Sequence, residues 1–120
     1  METKQSYRDL IVWQKAMVVV KFVYELSAQF PDAERFGLVS QMRRSAVSIP
    51  SNIAEGRYRS TKKDYCQFLT IAFASGAELE TQIEVASMLG LANQNEIEKV
   101  KSVLTEVMKM LNAMINTMRS

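Results

Sequence analysis

Apolar residues recur at helical spacing in four long segments of the chain. In the fourth segment they follow one another three or four positions apart without a break, from residue 97 to residue 118. The other three segments show similar spacings, and no sustained alternation typical of strands occurs anywhere. The pattern predicts helices over about residues 8–29, 38–55, 62–89 and 96–118. With short connectors, these form an all-α antiparallel up-down-up-down four-helix bundle, a single domain over residues 1–120.

Residues that begin or end helices lie at the predicted boundaries. Small polar side chains precede the first, third and fourth helices, where they can accept hydrogen bonds from free backbone N–H groups. Glycines follow the second and third helices, where they are typical C-cap residues. The predicted caps and terminators are Thr3 or Ser6, Gly56, Ser60 or Thr61, Gly90, and Asn93 or Asn95.

Pro50 lies inside the second predicted helix. Proline removes one backbone hydrogen bond and its ring clashes with the carbonyl of Ala46, so we expect a kink there. The apolar stripe continues in phase on both sides of Pro50, which favours one kinked helix over two shorter ones.

The first predicted helix is apolar nearly all round between Ala16 and Tyr24. A helix that packs on one bundle core needs a single apolar stripe, so the surplus indicates burial on a second side. Two interpretations remain open: the helix lies at the centre of the domain, or its outer side contacts another subunit.

Composition argues against several classes of function. The chain has no histidine, the commonest general base and metal ligand, and its single Cys66 cannot form an intramolecular disulfide. No signal peptide is recognisable, and the longest apolar stretch is too short to span a membrane. We therefore predict a soluble cytoplasmic protein that is not an enzyme, without metal, cofactor, small-molecule substrate or membrane contact.

Positive charge is concentrated in one quarter of the sequence. Residues 35–63 contain seven basic residues and one acidic residue, whereas the rest of the chain has eight basic and twelve acidic residues. Such segregation hints at an anionic partner. The candidate nucleic-acid-binding residues are Arg43, Arg44, Arg57, Arg59, Lys62 and Lys63. In the alternative interpretation, favoured for Arg43 and Arg44, these side chains form salt bridges to Glu55 or to acids on a neighbouring helix or subunit.

A polar stripe lies beside the apolar face of the second helix and is made of Ser45, Ser48, Asn52 and Glu55. Small hydroxyls, an amide and a carboxylate are unusual on a solvated face, so we expect this surface to pack against another surface. Catalysis by Asn52 and Glu55 has little support without a nearby base or nucleophile. The favoured interpretation is a structural polar network or interface, to which we assign Gln41, Ser48, Asn52 and Glu55.

The segment that contains both the charges and the polar stripe carries a specific motif. It reads Gln41-x-Arg-Arg-x-Ala-x-Ser-Ile-x-x-Asn-Ile-Ala-Glu-Gly56 and follows an opening helix with Leu10-Ile-Val-Trp13. This motif resembles that of the four-helix-bundle family of bacterial proteins encoded in intervening sequences of 23S rRNA genes. The likeness spans almost the whole chain and implies an antiparallel bundle that assembles as a ring-like homopentamer.

The same resemblance bears on function only indirectly, because the biochemical role of that family is not established. A relative with a similar bundle is the accessory variability determinant of diversity-generating retroelements, a basic pentamer that binds nucleic acid and a reverse transcriptase. The resemblance thus implies a pentamer that binds RNA, DNA or a nucleic-acid-bound protein. The alternative is a structural or protein-interaction scaffold that binds no nucleic acid.

Overall fold

Four long helices make up the protein, whose computed structural model describes residues 6–119. They are α1 (Ile11–Ser27), α2 (Ser40–Arg57), α3 (Lys62–Met88) and α4 (Gln94–Arg119), and no strand occurs within the described range. Each helix packs against its neighbours in the chain, and α4 returns to pack against α1. The bundle measures 52 × 22 × 20 Å. The prediction of an all-α antiparallel four-helix bundle is confirmed.

One apolar stripe from each helix fills the core. On α1 this stripe runs from Val12 to Leu26, and its members are essentially inaccessible to solvent. The α4 stripe is buried in the same way from Ile97 to Leu111, together with Met108 and Ile115, whereas Met114 and Met118 near its end are only partly buried. The fully buried residues include Val12, Ala16, Val19 and Val23 of α1, Met42, Ala46, Ile49 and Ile53 of α2, Leu69, Leu79 and Ile83 of α3, and Ile97, Leu104 and Leu111 of α4.

The start of α1 and the start of α2 differ from the prediction. A short 3-10 turn, Tyr7–Asp9, precedes α1, and the Ser6 hydroxyl accepts a hydrogen bond from the Arg8 backbone N–H at 3.2 Å. Thr3, the alternative cap, lies outside the described residues. Before α2, the segment Arg35–Val39 forms a wide π turn interrupted by non-helical backbone at Gly37.

The other predicted helix starts have the expected caps. The Thr61 hydroxyl accepts a hydrogen bond from the Asp64 backbone N–H at 3.1 Å, and the Asn93 side chain accepts one from Glu96 at 2.9 Å. These caps satisfy backbone donors that have no partner inside the helix.

Gly90 ends α3 as predicted, with a left-handed φ of 68°. The backbone N–H of Gly90 donates to the Ser87 carbonyl at 3.1 Å, and that of Leu91 donates to Ala86 at 3.0 Å. This pair of hydrogen bonds is a Schellman motif, which requires φ > 0 at the glycine.

Gly56 has a different role from the one expected of it. It is buried inside the last turn of α2, which continues to Arg57, so its assignment as a C-cap was wrong. A Cβ at this position would lie 2.8 Å from Phe68 Cβ and 3.0 Å from Tyr65 Cδ1, both on α3. The glycine is therefore required by the close approach of α3, which a sequence pattern taken helix by helix does not reveal.

α2 continues through Pro50 as one helix, which excludes the two-helix alternative. In the middle of α3, Gly76 also lies against a neighbouring helix. A Cβ at Gly76 would overlap the sulfur of Met108, so the α4 methionine occupies the space that the glycine leaves.

Among residues 6–119, no helix combines the length and the apolar character needed to cross a membrane.

Candidate nucleic-acid interface

The basic residues that are close together in sequence lie at opposite ends of α2. Arg43 and Arg44 are in its first turns, whereas Arg57 is its last residue. Thirteen positions separate Arg44 from Arg57, which at 1.5 Å per residue is about 20 Å along the helix. The charged segment therefore forms two separate surfaces.

Arg43 of α2 contacts the C-terminal end of α1 through hydrogen bonds and an aromatic ring. Its Nε donates to the hydroxyl of the buried Ser27 at 2.9 Å, and its Nη2 approaches the Tyr24 carbonyl oxygen at 3.4 Å. The guanidinium carbon also lies 4.4 Å from the centroid of the Tyr24 ring. These contacts direct the side chain to α1 and not to Glu55, so the suggested Arg43–Glu55 salt bridge was wrong. The neighbouring Arg44 is exposed and donates to the Ser40 hydroxyl at 3.3 Å.

The remaining candidates gather where α2 ends and α3 begins. We call this region the basic end and define it by Arg57, Arg59, Lys62 and Lys63, together with Arg8 and Arg119. Up-down-up-down topology brings Arg8, just before α1, and Arg119, the last residue of α4, to the same end of the bundle.

Arg57 and Arg59 both make contacts within the protein. The Arg59 guanidinium lies 4.6 Å from the centroid of the Phe68 ring. Burial raises the pKa of the Tyr65 phenol, and the positive charge of Arg57 counteracts part of that rise. Lys62 and Lys63 are exposed and occupy the first turn of α3.

Three aromatic rings form a ladder beside these cations. The Tyr7 ring makes edge-to-face contacts with Trp13, at a centroid distance of 5.2 Å, and with Tyr58, at 5.9 Å. The Arg8 guanidinium lies 5.5 Å from the centroid of the Tyr7 ring. Tyr58 ends the ladder with 76% of its surface exposed.

A groove of about 740 Å³ lies at the same end of the bundle, between the start of α3 and the end of α4. Basic side chains and apolar side chains both line it, and the apolar ones include the exposed Ile71 and the partly buried Met118. Its lining residues are Lys62, Lys63, Cys66, Gln67, Thr70, Ile71, Met118 and Arg119.

Sequence reasoning missed three members of this region: Tyr7, Arg8 and Arg119. The signal was present in the predicted topology, because an even number of antiparallel helices brings both ends of the bundle sequence to one end of the fold. The concentration of positive charge in residues 35–63 identifies basic residues that are close in sequence. These three residues approach them only in the folded structure.

The polar stripe of α2 faces α3. The hydroxyls of Ser48 and Ser75 lie 2.8 Å apart, and Asn52 Nδ2 donates to the Ser48 hydroxyl at 3.0 Å. The Ser45 hydroxyl donates to Glu78 Oε1 at 2.6 Å. The surface that presses on this stripe is thus another helix of the same chain.

The other two residues assigned to the polar network, Gln41 and Glu55, are exposed. They take no part in the side-chain hydrogen bonds of Ser48 and Asn52 described above. On α3, Glu84 forms an ion pair with Lys101 of α4 at 2.7 Å, and the hydrogen bond to Glu84 raises the pKa of Lys101.

An apolar groove follows the outer side of α1 and α2. Met17, Tyr24 and Val47 are each more than 40% exposed along it. Near the basic end it includes a cavity of about 280 Å³ lined by Tyr7, Trp13, Met17, Val20, Val47, Pro50, Ser51 and Ala54. α1 packs on α2 and α4 and leaves this surplus apolar side uncovered, so the interpretation that α1 lies at the centre of the domain was wrong.

Together these observations define a small antiparallel four-helix bundle with a polar α2–α3 seam, an uncovered apolar groove and a basic, aromatic end. The chain belongs to the family of 23S rRNA-intervening sequence proteins, whose family model matches residues 8–113.

Among solved structures, this chain is similar to a protein of unknown function from the S23 ribosomal protein family of Bacteroides thetaiotaomicron. The two align with a TM-score of 0.82 and 24% sequence identity over 88% of this chain and 98% of the other. At that identity the likeness establishes the fold alone. Comparison with curated proteins gave no match.

Proposed function

We propose that this chain is a non-enzymatic bundle that assembles with copies of itself, as a pentamer, and binds nucleic acid through the basic end. The observation that carries the proposal is the convergence of six basic side chains, contributed by all four helices or their flanking turns, at one end of the molecule. Cationic clusters of this kind contact phosphates irrespective of sequence. The single free cysteine fits a reducing cytoplasm, which we propose as its location.

Two lysines at the start of α3 give this proposal energetic support. The N-terminus of a helix carries partial positive charge, so Lys62 and Lys63 sit where a cation is unfavourable by a few tenths of a kcal/mol each. A stability optimum would place acids there, as Asp64 illustrates. An anionic ligand would be attracted both by the lysines and by the helix terminus.

Self-association is supported by the apolar groove of α1 and α2. Exposed side chains such as Met17 and Val47 form a connected apolar surface, and such surfaces commonly mark interaction sites. In an assembly of five copies, five basic ends would act together and multiply a weak single site.

Sedimentation of the pure protein, alone and with labelled RNA or DNA, tests both parts. We expect an oligomer whose nucleic-acid binding weakens steeply between low and moderate salt. The variant Lys62→Glu/Lys63→Glu should lose most binding. The control Lys21→Glu/Lys109→Glu makes the same change in net charge on exposed mid-helix positions and should retain it. Equal binding by the two double variants would contradict the role of the basic end.

A scaffold that binds no nucleic acid is the second candidate, favoured by the contacts of Arg43 and by the same apolar groove. Met17→Glu/Val47→Glu should reduce the oligomer to smaller species under either candidate, whereas Met88→Glu, at an exposed position at the end of α3, should not. An oligomer that ignores RNA and DNA at low salt would favour the scaffold.

A further inference from the structure

Tyr58 is an exposed aromatic side chain held in place by other rings. Its edge-to-face contact with Tyr7, which in turn packs on Trp13, fixes the ring at the end of the ladder. Edge-to-face pairs of this kind are favourable by about 0.5–1.5 kcal/mol beyond the area they bury. A ring that is supported in this way and remains 76% exposed offers a preorganised flat surface to a ligand.

Four basic residues lie within five sequence positions of Tyr58, at the end of α2 and the start of α3. Tyr58 lies between two arginines in the sequence, and Lys62 follows it by four residues, at most about 14 Å along the chain. Lys63 comes next, and both lysines line the groove between α3 and α4. A flat aromatic beside a track of positive charge is the combination that recognises bases and phosphates together.

We propose that the basic end binds single-stranded nucleic acid, with one unpaired base stacked on the Tyr58 ring and the flanking phosphates held by Lys62 and Lys63. In a duplex the base faces are covered by neighbouring pairs, so a protruding tyrosine can stack only on an unpaired base. This inference rests on the proposed function and narrows it, since phosphate contacts alone would accept a duplex equally well.

The test measures binding of the full-length protein to labelled 12-nucleotide strands without secondary structure, in RNA and DNA versions. Each strand is compared with an abasic strand of equal charge and with a blunt-ended duplex that has no unpaired base. Stacking of one base corresponds to a roughly 5- to 150-fold gain in affinity. We expect the wild-type protein to bind the base-bearing strand of at least one chemistry more tightly than the abasic strand by such a factor, and more tightly than the duplex.

Two variants of Tyr58 separate stacking from phosphate contacts. Tyr58→Ala should remove the preference for the base-bearing strand and leave binding of the abasic strand unchanged, whereas Tyr58→Phe should keep the preference. The matched control is Phe36→Ala, which removes an aromatic ring that is 89% exposed and also lies beside an arginine, Arg35, but at the other end of α2. Phe36→Ala should bind as the wild type does.

The outcomes distinguish this inference from the broader proposal. If abasic strands or duplexes bind as tightly as base-bearing strands, and Lys62→Glu/Lys63→Glu still abolishes binding, the stacking inference fails while the proposed function stands. If no nucleic acid binds, both fail. A Tyr58→Ala variant that keeps its helical circular dichroism but sediments as a smaller species would assign the ring to a subunit interface and would overturn the inference.

Discussion

Gly56 offers a direct test of how closely α2 and α3 approach each other. Glycine inside a helix is less favourable than alanine by about 0.5–1 kcal/mol, so helix propensity alone predicts that Gly56→Ala stabilises the protein. The packing predicts the opposite, because the new methyl group would lie 2.8 Å from Phe68 Cβ and 3.3 Å from the Tyr65 carbonyl oxygen. Both obstacles belong to or adjoin the α3 backbone and cannot swing aside.

The expected magnitude follows from these two opposed effects. Overpacking of a well-packed contact typically costs about 1–3 kcal/mol. After subtraction of the gain in propensity, we expect Gly56→Ala to lower the free energy of unfolding by roughly 0–2.5 kcal/mol. For a chain of this size, each kcal/mol corresponds to about 3–5 °C in Tm.

Gly76→Ala is the matched comparison, because it introduces the same methyl group into α3. Its obstacle is the Met108 thioether, the end of a flexible side chain that can adopt another rotamer. We therefore expect a smaller loss than for Gly56→Ala. The double variant Gly76→Ala/Met108→Ala should lose more than Gly76→Ala, since Met108 is buried and fills this part of the core.

Chemical denaturation monitored by circular dichroism, at one fixed protein concentration, provides the measurement. Stabilisation of Gly56→Ala by about 1 kcal/mol, the full gain in propensity, would refute the reasoning. It would mean that α2 and α3 are farther apart than the structure shows, so that the added methyl group avoids the 2.8 Å contact with Phe68 Cβ.

Three further outcomes concern Tyr65, Gln82 and Arg43. Burial raises the pKa of the Tyr65 phenol, so the folded protein keeps this proton above pH 10, where the unfolded chain loses it. The free energy of unfolding should therefore fall as pH rises above about 10. Tyr65→Phe should flatten that alkaline slope in pH-dependent denaturation, and an unchanged slope would contradict it. Gln82 Oε1 is buried without a hydrogen-bond partner among the described residues, so Gln82→Met should stabilise by roughly 1 kcal/mol in the same assay, and a loss of stability would reveal a missed partner. Arg43→Ala should lower the free energy of unfolding by about 1.5–3 kcal/mol, because it removes the charged hydrogen bond to Ser27. Arg43→Lys should recover little of this loss, because lysine lacks the planar guanidinium. Full recovery by lysine would argue against the observed hydrogen-bond geometry.

The helices were predictable because each carries its own period. The predicted limits of α3 and α4 fall within two residues of the observed ones, and the caps Thr61 and Asn93 were among those named. These features depend on local sequence. The start of α1 was less accurate, by three residues, because the 3-10 turn Tyr7–Asp9 precedes it and a periodic apolar pattern does not reveal such a turn.

The candidate site was less predictable, because it depends on which residues meet. Positive charge along the sequence suggested one surface, but the rise of α2 separates Arg44 from Arg57. Conversely, Tyr7 and Arg119 join the basic end only through the return of the chain. Gly56 was misassigned for the same reason: its neighbours, Tyr65 and Phe68, belong to another helix.

The close α2–α3 seam also has a consequence for the order of folding. α2 and α3 share the most extensive helix–helix contact and are joined by only four residues, so they form a helical hairpin whose closure costs little chain entropy. Packing of α1 on α4 requires partners from opposite ends of the sequence. We expect the α2–α3 hairpin to be largely formed in the transition state, with the α1–α4 contact completed afterwards. A core truncation such as Ile53→Ala should then slow folding, whereas Val12→Ala should mainly speed unfolding.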